Sequence, residues 1–487
     1  MPCTTILVGK SASYDGSTMI ARTDDGGFDV KKIVATTPEK QPKVYKSVIG
    51  HLEIPLPENP LRYTSAPNVD LSDGLWPATG INEANVGMTA TETITTNPRV
   101  LGADPMVRYK KAASKKEKDI PGGIGEEDLV LLVLPYIRTA REGVLRLGSL
   151  LEQYGTYESN GIAFNDKDEI WWLETIGGHH WIARRVQDDE CVIMPNQFGL
   201  DRFDFDDAFG ERKDNMCSAD LKEFIADNHL DLGMGGAFDP RAAFGSHSDG
   251  DHLYNTPRAW FMGRCLAPTR WRWDGENADF TPMSDNIPWA IVPEHKVTVE
   301  DVKYILSSYY QGTPYNPYAK RDNPERGKYR TIGKCNTGVM TISQIRGYMP
   351  EAIQAIEWVC FGSTSFDAMI PIYANTSKIP AYLSRVETDV DTDNFYWCSR
   401  LLNTLADGDY AHCLILIERY QQAMFSQAHR LLNEYDRRFT ENPDLALIDK
   451  ANNALCEEGQ KETQRTLNLV LAEASRHMKN NYFRGDN

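Results

Sequence analysis

Short apolar runs and polar turns alternate along the first thirty residues in the pattern of a β-hairpin. In MPCTTILVGKSASYDGSTMIARTDDGG, Cys3–Gly9 reads as a strand, Asp15-Gly16 as the turn and Thr18–Arg22 as the returning strand. Similar runs predict strands over residues 86–93, 161–165, 170–175, 180–186, 191–195, 337–345, 358–363 and 368–373. Turn residues at Asn165-Asp166-Lys167-Asp168 and Gly177-Gly178 join three of them into consecutive hairpins. The stretch EEDLVLLVLPYIRTAREGVLRLGSLLEQYG changes to helical spacing. Glu126, Glu127 and Asp128 give it an acidic first turn, which suits the helix dipole; Pro135 kinks or splits it, and Gly155 ends it. Residues 205–250 and 268–330, rich in Asp, Gly, Pro and aromatics, read as long loops. Beyond about residue 394 the pattern is helical throughout. The fold class is therefore α+β: a main unit over residues 3–400 and a helical extension over 401–487. The apolar stripe of the extension can cover the main unit or a second copy of the chain, and a homo-oligomer is expected.

Composition narrows the partners. A chain of 487 residues exceeds what one core usually supports. A net charge of −17 repels nucleic acid and anionic membranes, so neither is expected as a partner. The basic stretches Arg108–Lys118 and Lys320–Arg330 read as solvated loops. No apolar run approaches the ~20 residues that span a bilayer, and the N-terminus lacks the pattern of a secretory signal. The nine cysteines are odd in number and none forms a CxxC pair, which argues against a disulfide framework or zinc ribbon. A reducing cytoplasm is the expected compartment.

Several motifs fail on their own chemistry. Gly9-Lys10-Ser11 lacks the first glycine of a phosphate loop, where Thr4 stands. Asp389, Asp391 and Asp393 have calcium-loop spacing, but Asn394 and Arg400 occupy the turn-glycine and bidentate-glutamate positions. His247, Asp249, Asp251 and His252 in GSHSDGDH read as a polar loop. His179-His180 lies between strands, where neighbours point to opposite faces, so it is not a metal pair. No GxSxG elbow is present. No metal or organic cofactor is expected.

Cys3 carries most of the chemical information. A cysteine exposed as the first residue by proteolysis has its own α-amine, with an unperturbed pKa of about 7.7–8.0. That amine can take the thiol proton, and the thiolate can attack an amide carbonyl. The arginine and aspartates of ARTDD, on the returning strand, are placed to orient the amine and favour the thiolate.

These residues also carry a resemblance. CTTILVGKSASYDGSTMIARTDD, with GINEANVGMTATET, the EEDLV helix, VIMPNQF and PIYANTSKIPAYL, resembles the dipeptidase A family of N-terminal-nucleophile (Ntn) hydrolases. Secernins, penicillin V acylase and bile salt hydrolase are similar at greater distance. The resemblance implies an αββα four-layer sandwich and a cysteine-type dipeptidase working through an acyl-enzyme, with dipeptides as substrates. It implies Cys3 as nucleophile, freed by self-cleavage of the Pro2–Cys3 bond that removes the leader Met1-Pro2. Arg22 and Asp25 match the flanking arginine and aspartate, and Asn196 the oxyanion-hole asparagine. The later arginine matches Arg258, with Arg264 as a competing assignment; Asp24 is expected to be structural. Thr91 and Glu92 fall at a substrate contact, where Glu92 departs from the acylase pattern and can meet the free amino group of a peptide. The rivals are an acyl-amide hydrolase of the acylase type and a non-catalytic secernin-like scaffold.

Overall fold

A computed structural model describes residues 3–478 of the chain, and the expected leader Met1-Pro2 lies outside the described residues. The opening hairpin forms with strands Thr4–Val8 and Thr18–Asp25, paired antiparallel with Thr5 opposite Arg22 and Thr4 opposite Thr23. It lies inside a seven-stranded antiparallel sheet. On one side it pairs with Cys191–Met194 and then Ala290–Ile291; on the other it pairs with Thr337–Ile345, Ala355–Phe361 and Ile370–Tyr373. The register slips between Thr337 and Val339, opposite Asp25 and Asp24, as a bulge that re-aims side chains at the strand end.

A second sheet of nine strands contains the consecutive hairpins Asn160–Asn165, Ile170–Ile176 and His180–Val186. The predicted strand over 86–93 is two pieces, Gly87–Thr89 and Glu92–Thr93, which both pair with Asn160–Asn165.

Period-two alternation assigns each face of the hairpin. Ile6, Val8, Met19 and Ala21 pack with Trp260 and Met262 of the helix Thr256–Leu266 and with Val302 and Ile305 of the helix Val299–Leu306. Leu7, Ile20, Val192 and Met194 face the other way, against Ala163, Ile170, Trp172 and Ile182 of the second sheet. The far side of that sheet, through Phe164, Trp171 and Leu173, is covered by Leu129, Val133, Val144 and Leu147. Helices thus lie outside both sheets, and the sheets meet face to face. Cross-sheet hydrogen bonds such as Thr64 Oγ1 to Glu357 Oε2, 2.9 Å, tie them together.

Three corrections have simple causes. The EED stretch is not the first helical turn: the helix runs Leu129–Val133, breaks at Leu134–Tyr136 around Pro135, and resumes as Ala140–Tyr154. Gly155, at φ +67°, ends it. The acids are spent on tertiary contacts instead: Glu127 Oε1 accepts from Ile49 N at 2.5 Å, and Asp128 Oδ1 from Tyr45 OH at 2.7 Å. The expected loops contain short helices, because Asp204, Asp239 and Thr298 act as N-caps. His179 and His180 do reach one partner: their Nδ1 atoms lie 2.9 and 2.8 Å from the two oxygens of Asp104. His179 belongs to the turn, so strand alternation does not separate the pair.

The helical extension does not stand apart. Helices Phe395–Gly408, Tyr410–Glu441 and Ala446–Arg476 wrap the edge of the seven-stranded sheet. Leu402, Ile417, Tyr420 and Val470 pack on Val359, Phe361 and Ile370, while Phe425, Ala428 and Leu432 pack near Trp358 and Cys360 on the opposite face. Among the described residues no helix is long and apolar enough to cross a membrane.

Candidate active site

Cys3 immediately precedes the first strand, on the side that faces the second sheet. It is fully buried. Arg22 stands on the same side of the adjacent strand, as the Thr5–Arg22 pairing requires. Its Nη2 lies 2.9 Å from the Cys3 Sγ, 3.3 Å from Asp24 Oδ1 and 2.5 Å from Glu126 Oε1. Nη1 donates to the Ala78 carbonyl at 3.1 Å. Asp24 is shared with Lys31, whose Nζ is 2.7 Å from Oδ2. Burial pushes the Cys3 thiol well above its ordinary range; Arg22 opposes this, and the carboxylates of Glu126, Glu92 and Asp24 add to it.

Asp25 points to the opposite face. It accepts from Thr337 Oγ1 at 2.6 Å, Arg330 Nη2 at 2.5 Å and Thr23 Oγ1 at 3.4 Å, rather than from Cys3. Thr23 Oγ1 in turn accepts the Thr4 backbone N–H at 3.1 Å, which joins Asp25 to the start of the first strand. Arg330 belongs to a basic stretch that the sequence places in a solvated loop. The structure buries it on Asp25.

Arg258 occupies the first turn of the helix Thr256–Leu266, which begins at Thr256-Pro257. Helical side chains lean toward the N-terminus, so this one reaches back past the helix start to the hairpin. It donates to the Cys3 carbonyl, to Thr4 Oγ1 at 2.7 Å and to Asn196 Oδ1 at 2.7 Å. Arg264, the competing assignment, pairs with Asp274 at the surface, 3.2 Å away. Asn196 Nδ2 donates to Thr93 O at 2.9 Å. Asn255 steadies both, accepting from Arg258 and donating to Asn196 O at 3.1 Å; its own amide is held by Asp251 at 2.5 Å. The GSHSDGDH loop therefore props up the site from behind.

Thr91 and Glu92 are fully buried. Glu92 Oε2 accepts from Thr5 Oγ1 at 2.8 Å, whereas Thr91 Oγ1 and Glu92 Oε1 end without a hydrogen-bond partner. Burial raises the Glu92 pKa to about 7, against the pull of the Arg258 and Arg22 guanidiniums. Burial and the neighbouring Arg330 lower Arg258 to about 9, so it remains charged at neutral pH. The structure thus brings together Cys3, Arg22, Arg258 and Asn196, with Glu92 and Asp25 one contact further out. Sequence reasoning missed Glu126, Lys31, Asn255 and Arg330. Only the acidic EED run was a visible signal, and a helix dipole explained it equally well.

A profile of Peptidase family C69 matches residues 2–423. The chain is similar to proteins named as dipeptidases in several bacteria. It is 48% identical to "Dipeptidase" of Bifidobacterium longum (strain NCC 2705) over 533 aligned residues, covering 100% of both chains. It is 48% identical to "Probable dipeptidase A" of Streptococcus pyogenes serotype M3 (strain SSI-1), again covering 100% of both. With "Dipeptidase A" of Lactobacillus helveticus the identity is 42%, covering 92% of this chain and 91% of that one.

Proposed function

The chain belongs to peptidase family C69, and from that membership and the contact of Arg22 with the Cys3 thiol we propose that it is a cysteine-type dipeptidase. In this reading the helix–sheet–sheet–helix layering is the αββα sandwich of an Ntn hydrolase. Residues 3–400 are the catalytic unit and 401–487 the helical extension. Cleavage of the Pro2–Cys3 bond releases the leader and converts the Cys3 amide nitrogen into an amine.

That amine accepts the thiol proton, and Sγ attacks the carbonyl carbon of the dipeptide. Arg22 favours the thiolate. The Asn196 amide, held in register by Arg258 and the Thr93 carbonyl, donates to the developing oxyanion; such a donor is worth about 2.7–4 kcal/mol. As the C–N bond breaks, the ammonium returns its proton to the leaving nitrogen, and one amino acid departs. Water, deprotonated by the same amine, then hydrolyses the thioester and frees the other. Asp25 orients the start of the strand through Thr23. Thr91 Oγ1 and Glu92 Oε1, buried without partners, supply hydrogen bonds to the substrate. All nine cysteines are free thiols, in keeping with a cytoplasmic enzyme.

The contact carrying this reading is Arg22 Nη2 to Cys3 Sγ, 2.9 Å. Intact mass combined with a substrate panel tests it. Loss of Met1 and Pro2, with release of amino acids from dipeptides, is expected. A mass retaining Pro2 and no cleavage would leave a non-catalytic protein, and cleavage confined to N-acyl amides would indicate an acylase.

A further inference from the structure

Beside the thiol, two carboxylates, Asp24 and Glu126, crowd around two cations, and a third, Glu158, stands behind Glu126. Asp24 is held by both Arg22 and Lys31, and Glu126 by Arg22. Glu158 has no cationic partner among the described residues; its Oε1 accepts the Glu126 backbone N–H at 2.7 Å. Burial and the Glu126 charge both press on Glu158. With all three acids ionised, the side chains of Arg22 and Lys31 leave one negative charge uncompensated among the described residues.

A second observation points to the same spot. Asn160 lies beside Glu158 on the strand that pairs with Glu92–Thr93. It is only 1% exposed; its side-chain amide is turned toward the Glu158 carboxylate, yet neither Oδ1 nor Nδ2 completes a hydrogen bond of good geometry. A buried amide left this way costs about 1–3 kcal/mol unless something binds to it. Tyr157 and Glu158 are half-buried, and Gly125 lets the Tyr157 ring approach so closely that a Cβ there would fall 2.1 Å from it.

We propose that Glu126, Glu158 and Asn160 form the subsite for the free α-ammonium of the substrate. This deepens the dipeptidase reading and rests on it. An ammonium has three N–H donors, and these residues offer three acceptors. The spacing suits a residue whose own carbonyl is attacked. A carbonyl carbon ~3–3.5 Å from Sγ has its α-nitrogen about 2.5 Å further along the chain. A carboxylate on that nitrogen then falls within several ångströms of the thiol, and carboxylate oxygens of Glu126 and Asp24 lie within 4.8 Å of Sγ. Asp24 is already taken by two cations. Glu92 is the weaker candidate, because two guanidiniums, Arg258 and Arg22, act on it and its Oε2 already accepts from Thr5 Oγ1, whereas Glu126 is paired with Arg22 alone.

The test compares Ala-Ala with N-acetyl-Ala-Ala in the full chain and in Glu158→Gln, Glu126→Gln and Glu92→Gln. Mass and thermal melting confirm that each variant is processed and folded. Wild type should prefer the free dipeptide. Glu158→Gln, at a half-exposed position that tolerates an isosteric change, should reduce the preference roughly 10- to 100-fold, mainly through KM. Glu126→Gln should do the same and lower kcat as well, because it also holds Arg22. An unchanged preference in Glu158→Gln, or one lost only in Glu92→Gln, overturns the subsite and leaves the dipeptidase reading intact. If wild type cleaves no dipeptide, both fall together.

Discussion

On one face of the strand Thr18–Asp25, Arg22 and Asp24 look toward the second sheet; on the other, Thr23 and Asp25 look toward the Thr256–Leu266 helix. The first face gathers Cys3, Asp24, Glu126 and Glu92 around Arg22 and Lys31, with carboxylates in excess. The second gathers Arg258 and Arg330 around Asp25, with cations in excess. Alternate residues of one short strand therefore stand in opposite fields. A thiol on the anionic side is held neutral, while the backbone of the same residue is gripped from the cationic side through its carbonyl. This division suits the role proposed for Cys3, a thiol that stays protonated until a base arrives, beside a backbone that does not move.

Each of the following substitutions strikes one side of that contrast. Cys3→Ala should abolish dipeptide cleavage, by at least about 10³-fold, with the fold kept in a circular dichroism melt. Residual turnover near wild type would remove Cys3 from the chemistry. Asp25→Asn leaves Arg330 buried beside a neutral amide and should cost about 3–5 kcal/mol in denaturant unfolding at pH 7.

The isosteric change on the other face should have the opposite sign. Burial raises Glu92 from its ordinary 4.5 to about 7, so between those values the folded chain binds more protons than the unfolded one. Stability from this group is full below pH 4.5 and is lost as pH rises through 7. Glu92→Gln should therefore stabilise the protein by about 3 kcal/mol at pH 8 and by almost nothing at pH 4. Equal effects at both pH values would mean that Glu92 is not held against its charge.

Arg258→Lys keeps a cation but loses the fork that holds Asn196 and the Cys3 carbonyl. A kcat loss of about 10²-fold with little change in KM is expected in steady-state kinetics. Arg264→Ala, which breaks only a surface pair, should change stability by less than about 1 kcal/mol and leave kcat alone.

The local pattern carried the opening hairpin, the consecutive hairpins of the second sheet, the break at Pro135 and the helices beyond residue 394, because each rests on neighbours within a few residues. It also carried Cys3 and Arg22 as a pair, since one turn fixes which residues of two strands face each other. Tertiary structure decided the rest. Glu126 meets Arg22 across 104 positions of chain, Arg330 meets Asp25 across 305, and Arg258 meets Thr4 across 254. Nothing in the local spelling of EED or KRDNPERGKYR separates a buried ionic partner from a helix end or a wet loop. The same charged residue serves in all three settings, and the choice depends on which surface the folded chain brings against it.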